Sequence, residues 1–236
     1  MSTDHQHDVI IIGGLGHVGL PLGIVLADTG LQVALYDIDK SKRAMLENGQ
    51  MPFIEHDAEP MLRRVIGKTL QIVDSLHEVA CSDVVIITIG TPVDEYLNPK
   101  TRLIIELAEQ ISAHLRPDHP LILRSTVYPG TSKTLYEFFK RRGLEVHLAY
   151  CPERIAQGYA IGELRKLPQI ISGFTETASR YAERLFRRLG VEIIQVTVQE
   201  AELTKLFANA WRYIQFAITN QFYMIATEFG ANYAQI

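Results

Sequence analysis

The sequence predicts an α/β protein with a doubly wound, mostly parallel sheet that is followed by one long α-helix. Short apolar runs rich in Val and Ile alternate with longer stretches of helical periodicity over residues 8–198. These runs do not alternate with polar residues, which is typical of strands covered by helices on both faces of a sheet. Residues 199–229 contain no proline or glycine and repeat their apolar side chains at helical spacing. We therefore divide the chain into a sheet domain, 1–198, and the start of a long helix, 199–236.

Each predicted strand is a short run of mainly Val, Ile and Leu, and a helical pattern fills most of the gaps between strands. In chain order the strands are DVIII at 8–12, QVALY at 32–36, DVVIIT at 83–88, PLIL at 120–123, EVHLA at 145–149, QIIS at 169–172 and EIIQV at 192–196. The helices are predicted at 17–29, 40–48, 57–66, 102–115, 131–142 and 176–189. Because helical crossovers connect parallel strands, this order predicts helices packed on both faces of the sheet.

The long helix has an apolar stripe that includes phenylalanine and tryptophan side chains. The members of the stripe lie at helical spacing: Leu203, Phe207, Ala210, Trp211, Ile214, Ile218 and Phe222. At about 1.5 Å per residue the helix is on the order of 45 Å long, which is more than a crossover in such a domain needs. We expect a helix of this kind to pack on a further domain or on a second copy, and we predict a homodimer through residues 199–236.

The composition is that of an ordinary globular protein and argues against several classes of function. The chain has 236 residues, is 47% hydrophobic and 21% charged, and carries a net charge of −4. This acidic balance, without a basic stripe, argues against a nucleic-acid partner. Two cysteines are too few for a disulfide framework, so we expect a cytoplasmic protein. The eight histidines are scattered without metal-ligand spacing, and His5 and His7 fit a solvated tail, so we predict no metal site.

Residues 9–27 lack Asp, Glu, Lys and Arg and are nearly long enough to cross a bilayer. Five glycines and a proline interrupt this window, and no basic segment precedes it. We therefore interpret it as a strand, a glycine-rich turn and a helix, and we predict no membrane association.

The glycine-rich turn has the spacing of a phosphate-binding motif. It follows the first predicted strand and reads Gly14, Leu15, Gly16, His17, Val18, Gly19. Glycines at this spacing permit a tight turn, backbone approach to a pyrophosphate and close helix–strand packing, while the helix N-terminus favours negative charge. The turn predicts a Rossmann-type dinucleotide site. The alternative is a glycine-rich turn that binds nothing.

Asp37 ends the second predicted strand, about twenty residues after the turn. A carboxylate at this point can accept hydrogen bonds from an adenosine ribose diol and would repel a 2′-phosphate, so NAD is favoured over NADP. Arg43 lies nearby as a further candidate cofactor contact, and its positive charge leaves NADP open.

Two later loops follow neighbouring strands at the sheet edge where doubly wound folds bind ligands. Gly90, Thr91 and Pro92 follow strand 83–88, and Ser125 and Thr126 follow strand 120–123. Both loops offer hydroxyls and backbone amides to a cofactor. Taken singly, each is more typical of plain turn chemistry or of a helix cap.

Residues 151–158, CPERIAQG, contain Cys151 beside polar neighbours and raise the question of a cysteine nucleophile. Cys151 ends a buried type of strand without an obvious base, so we interpret it as a small core residue. Lys205, Asn209 and Arg212 form a polar face on the long helix, away from the Leu203–Phe207–Trp211 stripe. This face could bind an oxyanion or a phosphate-bearing ligand, or it could be a solvated face.

The chain resembles the UDP-glucose/GDP-mannose dehydrogenases, the nucleotide-sugar 6-dehydrogenases. The motifs that carry the resemblance are GLGHVGLPLG at 14–23, IGTPVDEYLNP at 89–99, STVYPGT at 125–131, CPERIAQG at 151–158 and AELTKLFANAWRYIQFAITNQF at 201–222. The GTPVDE stretch and the Pro-Glu-Arg triplet resemble the branch that oxidises UDP-N-acetylmannosamine or UDP-N-acetylglucosamine. The resemblance implies NAD-dependent oxidation of a sugar C6 alcohol to a carboxylate in two hydride transfers, the second through a thiohemiacetal.

The resemblance also implies roles for single residues. Asp37 would hold the adenosine ribose, and Thr91 would lie along the cofactor. Thr126 would hold water or cofactor in the active site, and Glu153 would serve in acid–base handling of the hydrolytic water. Lys205 would bind the oxyanion or help to deprotonate the alcohol, and Asn209 would position sugar and water. The substrate loop would comprise Glu153, Arg154, Ile155, Ala156 and Gln157, and we expect Arg212 to join Lys205 and Asn209 at the substrate.

The chain departs from the family pattern in three ways. Gln157 stands where many members have a glutamate, and Arg124 stands where glucose-specific members often have a lysine. The family's catalytic cysteine motif and its UDP-binding domain are expected beyond the long helix and are absent from this sequence. We therefore expect this chain to bind NAD+ and not to oxidise a UDP-sugar alone. The alternatives are a short non-catalytic NAD-binding or dimerisation module, and an oxidoreductase of the 6-phosphogluconate or 3-hydroxyacid dehydrogenase type, whose motifs match poorly.

Overall fold

A computed structural model describes residues 6–92, 95 and 101–236 of the chain. Its strands are β1 His7–Ile12, β2 Val33–Tyr36, β3 Leu70–Val73, β4 Ser82–Ile87, β5 Pro120–Leu123, β6 His147–Tyr150, β7 Gln169–Gly173 and β8 Ile193–Gln195. Its helices are α1 Gly19–Asp28, α2 Lys40–Glu47, α3 Ala58–Val65, α4 Arg102–Ser112, α5 Thr131–Arg141, α6 Ala160–Leu164, α7 Glu176–Phe186 and α8 Val198–Glu228. Short 3₁₀ segments lie at Leu76–Cys81 and Arg187–Leu189.

The strands form one sheet in the order β3-β2-β1-β4-β5-β6-β7-β8. Neighbouring strands are parallel except for β6 and β7, which pair antiparallel. The chain moves outward from β1 on one side and from β4 on the other, and this reversal creates a crevice at the carboxyl ends of the central strands. The predicted doubly wound, mostly parallel sheet followed by one long helix is confirmed.

The core consists of two layers, one on each face of the sheet. On β1, Val9 and Ile11 belong to the layer beneath α1, α3, α6 and α7. Ile10 and Ile12, on the opposite face, belong to the layer beneath α4 and α5. Successive residues of a strand point to opposite faces, so a strand buried on both sides has an uninterrupted apolar sequence. This is the physical reason why DVIII identifies a central strand.

Two elements escaped the sequence prediction. β3 is an edge strand of four residues in which Leu70 alone is fully buried, so its sequence, LQIV, lacks the apolar run of a central strand. α6 has five residues, which is too short to show a helical period. The predicted strand 145–149 is displaced along the chain to His147–Tyr150, and the last turn of the predicted helix 176–189 is a 3₁₀ segment.

The segment 9–27 contains β1, the turn and α1, as predicted. Within the described ranges, the model contains no helix with the length and apolar character of a transmembrane span.

Candidate functional site

The glycine-rich turn lies at the carboxyl end of β1, next to the crevice. Gly19 begins α1, and a Cβ on this residue would lie 2.5 Å from the carbonyl oxygen of Gly13, so the packing of α1 on the turn requires a glycine. A Cβ on Gly16 would meet only that same oxygen, at 3.4 Å. Packing within the described chain therefore does not explain Gly16. A bare backbone at this position leaves the space that an approaching pyrophosphate needs.

The N-terminus of α1 is open to an anion. Its capping residue, Val18, makes no side-chain hydrogen bond to the helix, and its first turn contains no acidic residue. The amide of Leu20 already donates to the carbonyl oxygen of Gly16, and Pro21 has no N–H, so it is chiefly the positive end of the helix dipole that remains for a ligand. Together with Gly16, this arrangement fits the pyrophosphate of a dinucleotide.

Asp37 follows β2 and faces the turn. Its Oδ2 accepts a hydrogen bond from the amide of Leu15 at 3.0 Å, and its Oδ1 accepts one from the amide of Asp39 at 3.1 Å. Each carboxylate oxygen has about two lone pairs, so both can accept a further bond from a ribose hydroxyl.

Arg43 has carboxylate partners that the sequence did not reveal. Its guanidinium contacts Glu47, with an Nε–Oε1 distance of 2.8 Å, and forms an ion pair with Asp74. Two neighbouring negative charges disfavour a 2′-phosphate at this guanidinium. The structure therefore removes the main argument that left NADP open.

The two loops after β4 and β5 are joined to each other. The hydroxyl of Thr91 donates a hydrogen bond to the carbonyl oxygen of Thr126. Ser125 is buried, whereas Gly90 and Pro92 are exposed. Parts of the 89–99 motif, at 93–94 and 96–99, and the predicted tail residue His5 lie outside the described residues. The expectation that His7 lies in a solvated tail is wrong, because its side chain is buried at the start of β1 and faces Glu78.

A buried ion pair joins the end of β5 to the CPERIAQG segment. Arg124 is 1% exposed, and one of its terminal nitrogens donates to Glu153 and, at 2.8 Å, to Oε1 of Gln169. The other terminal nitrogen donates to the carbonyl oxygen of Cys151 at 3.2 Å. The guanidinium also lies over the ring of Phe186, 4.6 Å from its centroid. An arginine fork suits these several acceptors better than a lysine would.

Glu153 is held from both sides. While Oε2 faces Arg124, Oε1 accepts hydrogen bonds from the amides of Arg154 at 2.7 Å and Ile155 at 3.1 Å. Both lone pairs of Oε1 are therefore used, and Oε2 retains one for a water or a ligand. Further along this loop the side chain of Ile155 is buried and that of Gln157 is exposed.

Cys151 has the surroundings of a core residue. Its side chain is fully buried, and burial raises the pKa of the thiol to about 12, although Arg124 opposes the shift. A thiol that remains protonated is a poor nucleophile. The expectation that Cys151 is a core residue agrees with this geometry.

The polar face of α8 begins at the same crevice. The start of α8 packs against β6 and β7, and Arg212 donates a hydrogen bond to the carbonyl oxygen of Arg154 at 3.3 Å. Burial lowers the pKa of Lys205, Glu153 opposes this shift, and the guanidinium groups of Arg212, Arg124 and Arg154 add to it. The structure thus brings Lys205 and Arg212 to the 153–157 loop. Asn209 lies between them on the helix and is exposed.

Glu202 is a site residue that sequence reasoning missed. It is 1% exposed, and its two oxygens accept hydrogen bonds from the amides of Gly130 at 2.7 Å and Ser132 at 3.0 Å. These amides lie at the N-terminus of α5, whose own capping residue provides no side-chain bond. Glu202 therefore caps α5 from α8 and fixes the loop of Ser125 and Thr126 relative to Lys205. A sequence shows no local pattern for a cap supplied from so far along the chain.

A cleft of about 370 Å³ lies at the opposite edge of the sheet, by the amino ends of β1, β4 and β5. Its charged lining comprises three arginines and three aspartates: Arg116, Arg184, Arg188, Asp8, Asp83 and Asp118. Parallel sheets bind ligands at their carboxyl ends, and this lining is balanced in charge. We therefore assign the candidate site to the crevice and not to this cleft.

Comparison with known proteins agrees with this geometry. Residues 8–190 match the model of the NAD binding domain of the UDP-glucose/GDP-mannose dehydrogenase family. A UDP-N-acetyl-D-mannosamine dehydrogenase from Pyrococcus horikoshii is 30% identical over 94% of this chain and 55% of its own length. A UDP-glucose 6-dehydrogenase from Pseudomonas aeruginosa is also 30% identical, over 88% of this chain and 49% of its own length. The chain thus spans about half the length of these relatives.

The fold comparison gives the same result. The solved structure of UDP-D-ManNAc dehydrogenase from Pyrococcus horikoshii superposes with a TM-score of 0.85 and 27% identity. The superposition covers 96% of this chain and 56% of that one. Because the family's domain model covers most of the chain and the turn fits a dinucleotide, the chain belongs to the UDP-glucose/GDP-mannose dehydrogenase family and contains its NAD-binding domain.

Proposed function

We propose that this chain is the cofactor-binding part of a nucleotide-sugar 6-dehydrogenase. In this proposal the whole protein oxidises the C6 alcohol of a UDP-sugar to the carboxylate in two NAD+-dependent steps, and the chain alone binds NAD+ without turnover. The domain division at residue 198 is part of the proposal, with the sheet domain binding the cofactor and α8 leading toward the remaining substrate contacts.

The observation that carries the proposal is that Lys205 lies close to Glu153 and its loop at the cofactor crevice. Oxidation of an alcohol needs a base and an oxyanion partner near the hydride acceptor. Lys205 has a lowered pKa with burial as its first cause, so a neutral amine is more accessible here than in an exposed lysine. NAD+ bound at the turn would accept the hydride of each step, one NAD+ per step, with NADH exchanged for a second NAD+ between them.

The residues of the crevice have catalytic, positioning and binding roles in this proposal. Lys205 takes the proton of the C6 hydroxyl and then stabilises the developing oxyanion as an ammonium. Glu153 offers its remaining lone pair to the hydrolytic water, and Thr126 and Asn209 orient that water and the sugar. Arg212 holds the carbonyl of Arg154 and thereby the substrate loop. Cys151 does not supply the thiol of the second step in this proposal, since it is buried and its thiol pKa is raised.

We propose a UDP-N-acetylhexosamine as the substrate in preference to UDP-glucose. Support comes from the Pro-Glu-Arg triplet and from Arg124, which fills a site where a lysine would make fewer bonds. Overall identity does not discriminate, because the mannosamine and glucose relatives are both 30% identical to the chain.

We also propose that α8 forms a homodimer interface. Its apolar stripe is exposed, with Phe207 67% and Trp211 61% accessible. Near its end, a groove of about 670 Å³ is lined by Phe222, Phe229 and Ile236 among other apolar residues. An apolar surface of this extent supports a protein partner, and a second copy supplies the same stripe for a two-fold contact.

The test is the reduction of NAD+ by the protein encoded by the whole gene, with UDP-N-acetylmannosamine, UDP-N-acetylglucosamine and UDP-glucose. We expect oxidation of at least one N-acetylhexosamine substrate. Lys205→Ala should lower kcat by about 100-fold or more, the range for loss of a general base. Lys166→Ala, which removes an exposed lysine of the same domain, is the control. Turnover by Lys205→Ala at the rate of the control contradicts the proposed role.

A further inference from the structure

A short segment between α2 and α3 contacts both the glycine-rich turn and the substrate loop. The ring centroids of Phe53 and His17 lie 4.0 Å apart, and His17 is part of the turn. The ring centroids of His56 and Tyr159 lie 4.9 Å apart, and Tyr159 follows the substrate loop. Residues 53–56 therefore bridge two sites that are far apart in the sequence.

Glu55 and His56 together hold both backbone groups of Gly158. Glu55 is 8% exposed, and its Oε2 accepts a hydrogen bond from the amide of Gly158 at 3.0 Å. The amide of His56 donates to the carbonyl oxygen of Gly158 at 2.9 Å. Gly158 has a φ of +89°, a conformation that glycine adopts without the strain of a side chain. The end of the substrate loop is thus fixed to the first half of the domain.

Carboxylates also bind the preceding amides of this loop. Glu153 accepts from the amides of Arg154 and Ile155, and Oε2 of Glu163 in α6 accepts from the amide of Ala156 at 2.5 Å. These amides are occupied and are not available to an anionic group of a ligand. The loop is shaped before a ligand arrives, which lowers the entropic cost of binding.

Glu55 differs from the other two carboxylates because it comes from an element that neighbours the cofactor turn. Its second oxygen, Oε1, is buried and accepts no hydrogen bond from the part of the chain that the structure describes. A buried acceptor without a partner is unfavourable for stability. The placement of Glu55 is therefore better explained by what its bonded oxygen does to the loop than by a contribution to the fold.

We propose that Glu55 is a positioning residue of the sugar-nucleotide site, which holds Gly158 and so fixes the conformation of the 154–158 loop. The inference rests on the proposed function, because that function makes this loop a substrate contact. It assigns Glu55 no contact with the cofactor, so a Glu55 variant should affect the sugar nucleotide and leave NAD+ binding unchanged.

The first experiment is amide hydrogen exchange on this chain with Glu55→Ala and a matched control. Glu59→Ala makes the same change at an exposed glutamate in α3. We expect Glu55→Ala to accelerate exchange in peptides over 154–158 by roughly tenfold, because a hydrogen bond to a charged acceptor is lost. Glu55→Gln retains an acceptor oxygen and should give an intermediate rate. Unchanged loop exchange, or equal acceleration throughout the sheet, overturns the proposal.

The second experiment measures kinetics in the protein encoded by the whole gene. Glu55→Ala should raise the KM for the sugar nucleotide by roughly tenfold, because the same hydrogen bond is lost. Its KM for NAD+ and its calorimetric affinity for NAD+ should lie within about twofold of the values for Glu59→Ala. Equal increases in both KM values overturn the proposal. If the wild-type protein oxidises no UDP-sugar, the proposed function fails, whereas the exchange result on the loop still stands or falls by itself.

Discussion

Carboxylates organise this site at the scale of single residues. Glu153, Glu163 and Glu55 bind amides of the 154–158 loop, and Glu202 binds amides at the start of α5. Each replaces water around a backbone N–H group that a loop would otherwise leave unpaired in a buried or partly buried place. The loops around the crevice therefore have defined conformations although they contain no regular structure.

Glu202 should be important for stability because two amides depend on it. Glu202→Ala leaves the amides of Gly130 and Ser132 without their acceptor and is expected to lower the free energy of unfolding by about 2–4 kcal/mol. Urea unfolding of this chain measures the change.

The matched control for this substitution is Glu228→Ala, at the exposed end of the same helix. A surface change of this kind should alter the free energy of unfolding by less than about 0.5 kcal/mol. Equal effects of the two substitutions would show that Glu202 does not cap α5.

At the scale of elements, α8 has two different parts. Its first turns are packed on β6 and β7 and bring Lys205 to the crevice, whereas residues 207–225 expose most of their apolar side chains. A capping box at Thr197 and Glu200 fixes where the helix begins. The position of the Lys205 face is thus set at the N-terminus of α8, and the remainder of the helix is available to a partner.

The exposed stripe predicts self-association of this chain. Trp211→Glu places a charge in the stripe and should convert a dimer into a monomer, because a charge buried in an apolar interface lacks a partner. Light scattering at tens of micromolar measures the mass. Asn220→Asp adds the same charge at an exposed position on the other side of α8 from the stripe, and should remain dimeric. A wild-type chain with only the monomer mass contradicts the prediction.

At the scale of the whole molecule, the sequence predicts those features that depend on residues close together in the chain. The apolar strands and the spacing of Gly14, Gly16 and Gly19 carry the fold and the cofactor turn, because these depend on residues close in sequence. β3 and α6 were missed, since a half-exposed edge strand and a single helical turn have little periodicity. Contacts such as Arg124 with Gln169, or Glu202 with Gly130, arise from tertiary packing and have no sequence pattern.

The central claim is that NAD+ binds at the glycine-rich turn with its adenosine ribose on Asp37. Calorimetric titration of this chain with NAD+ and NADP+ tests it most directly, together with Asp37→Asn and the matched control Asp39→Asn. Asparagine is a good helix cap, so the control preserves the N-terminus of α2 that Asp39 caps.

We expect NAD+ to bind more tightly than NADP+. Asp37→Asn should weaken NAD+ binding by roughly tenfold, because the ribose loses a charged acceptor. It should also reduce the preference over NADP+, whereas Asp39→Asn should behave as wild type. The absence of NAD+ binding at millimolar concentration, or equal affinity for both cofactors, would contradict the account.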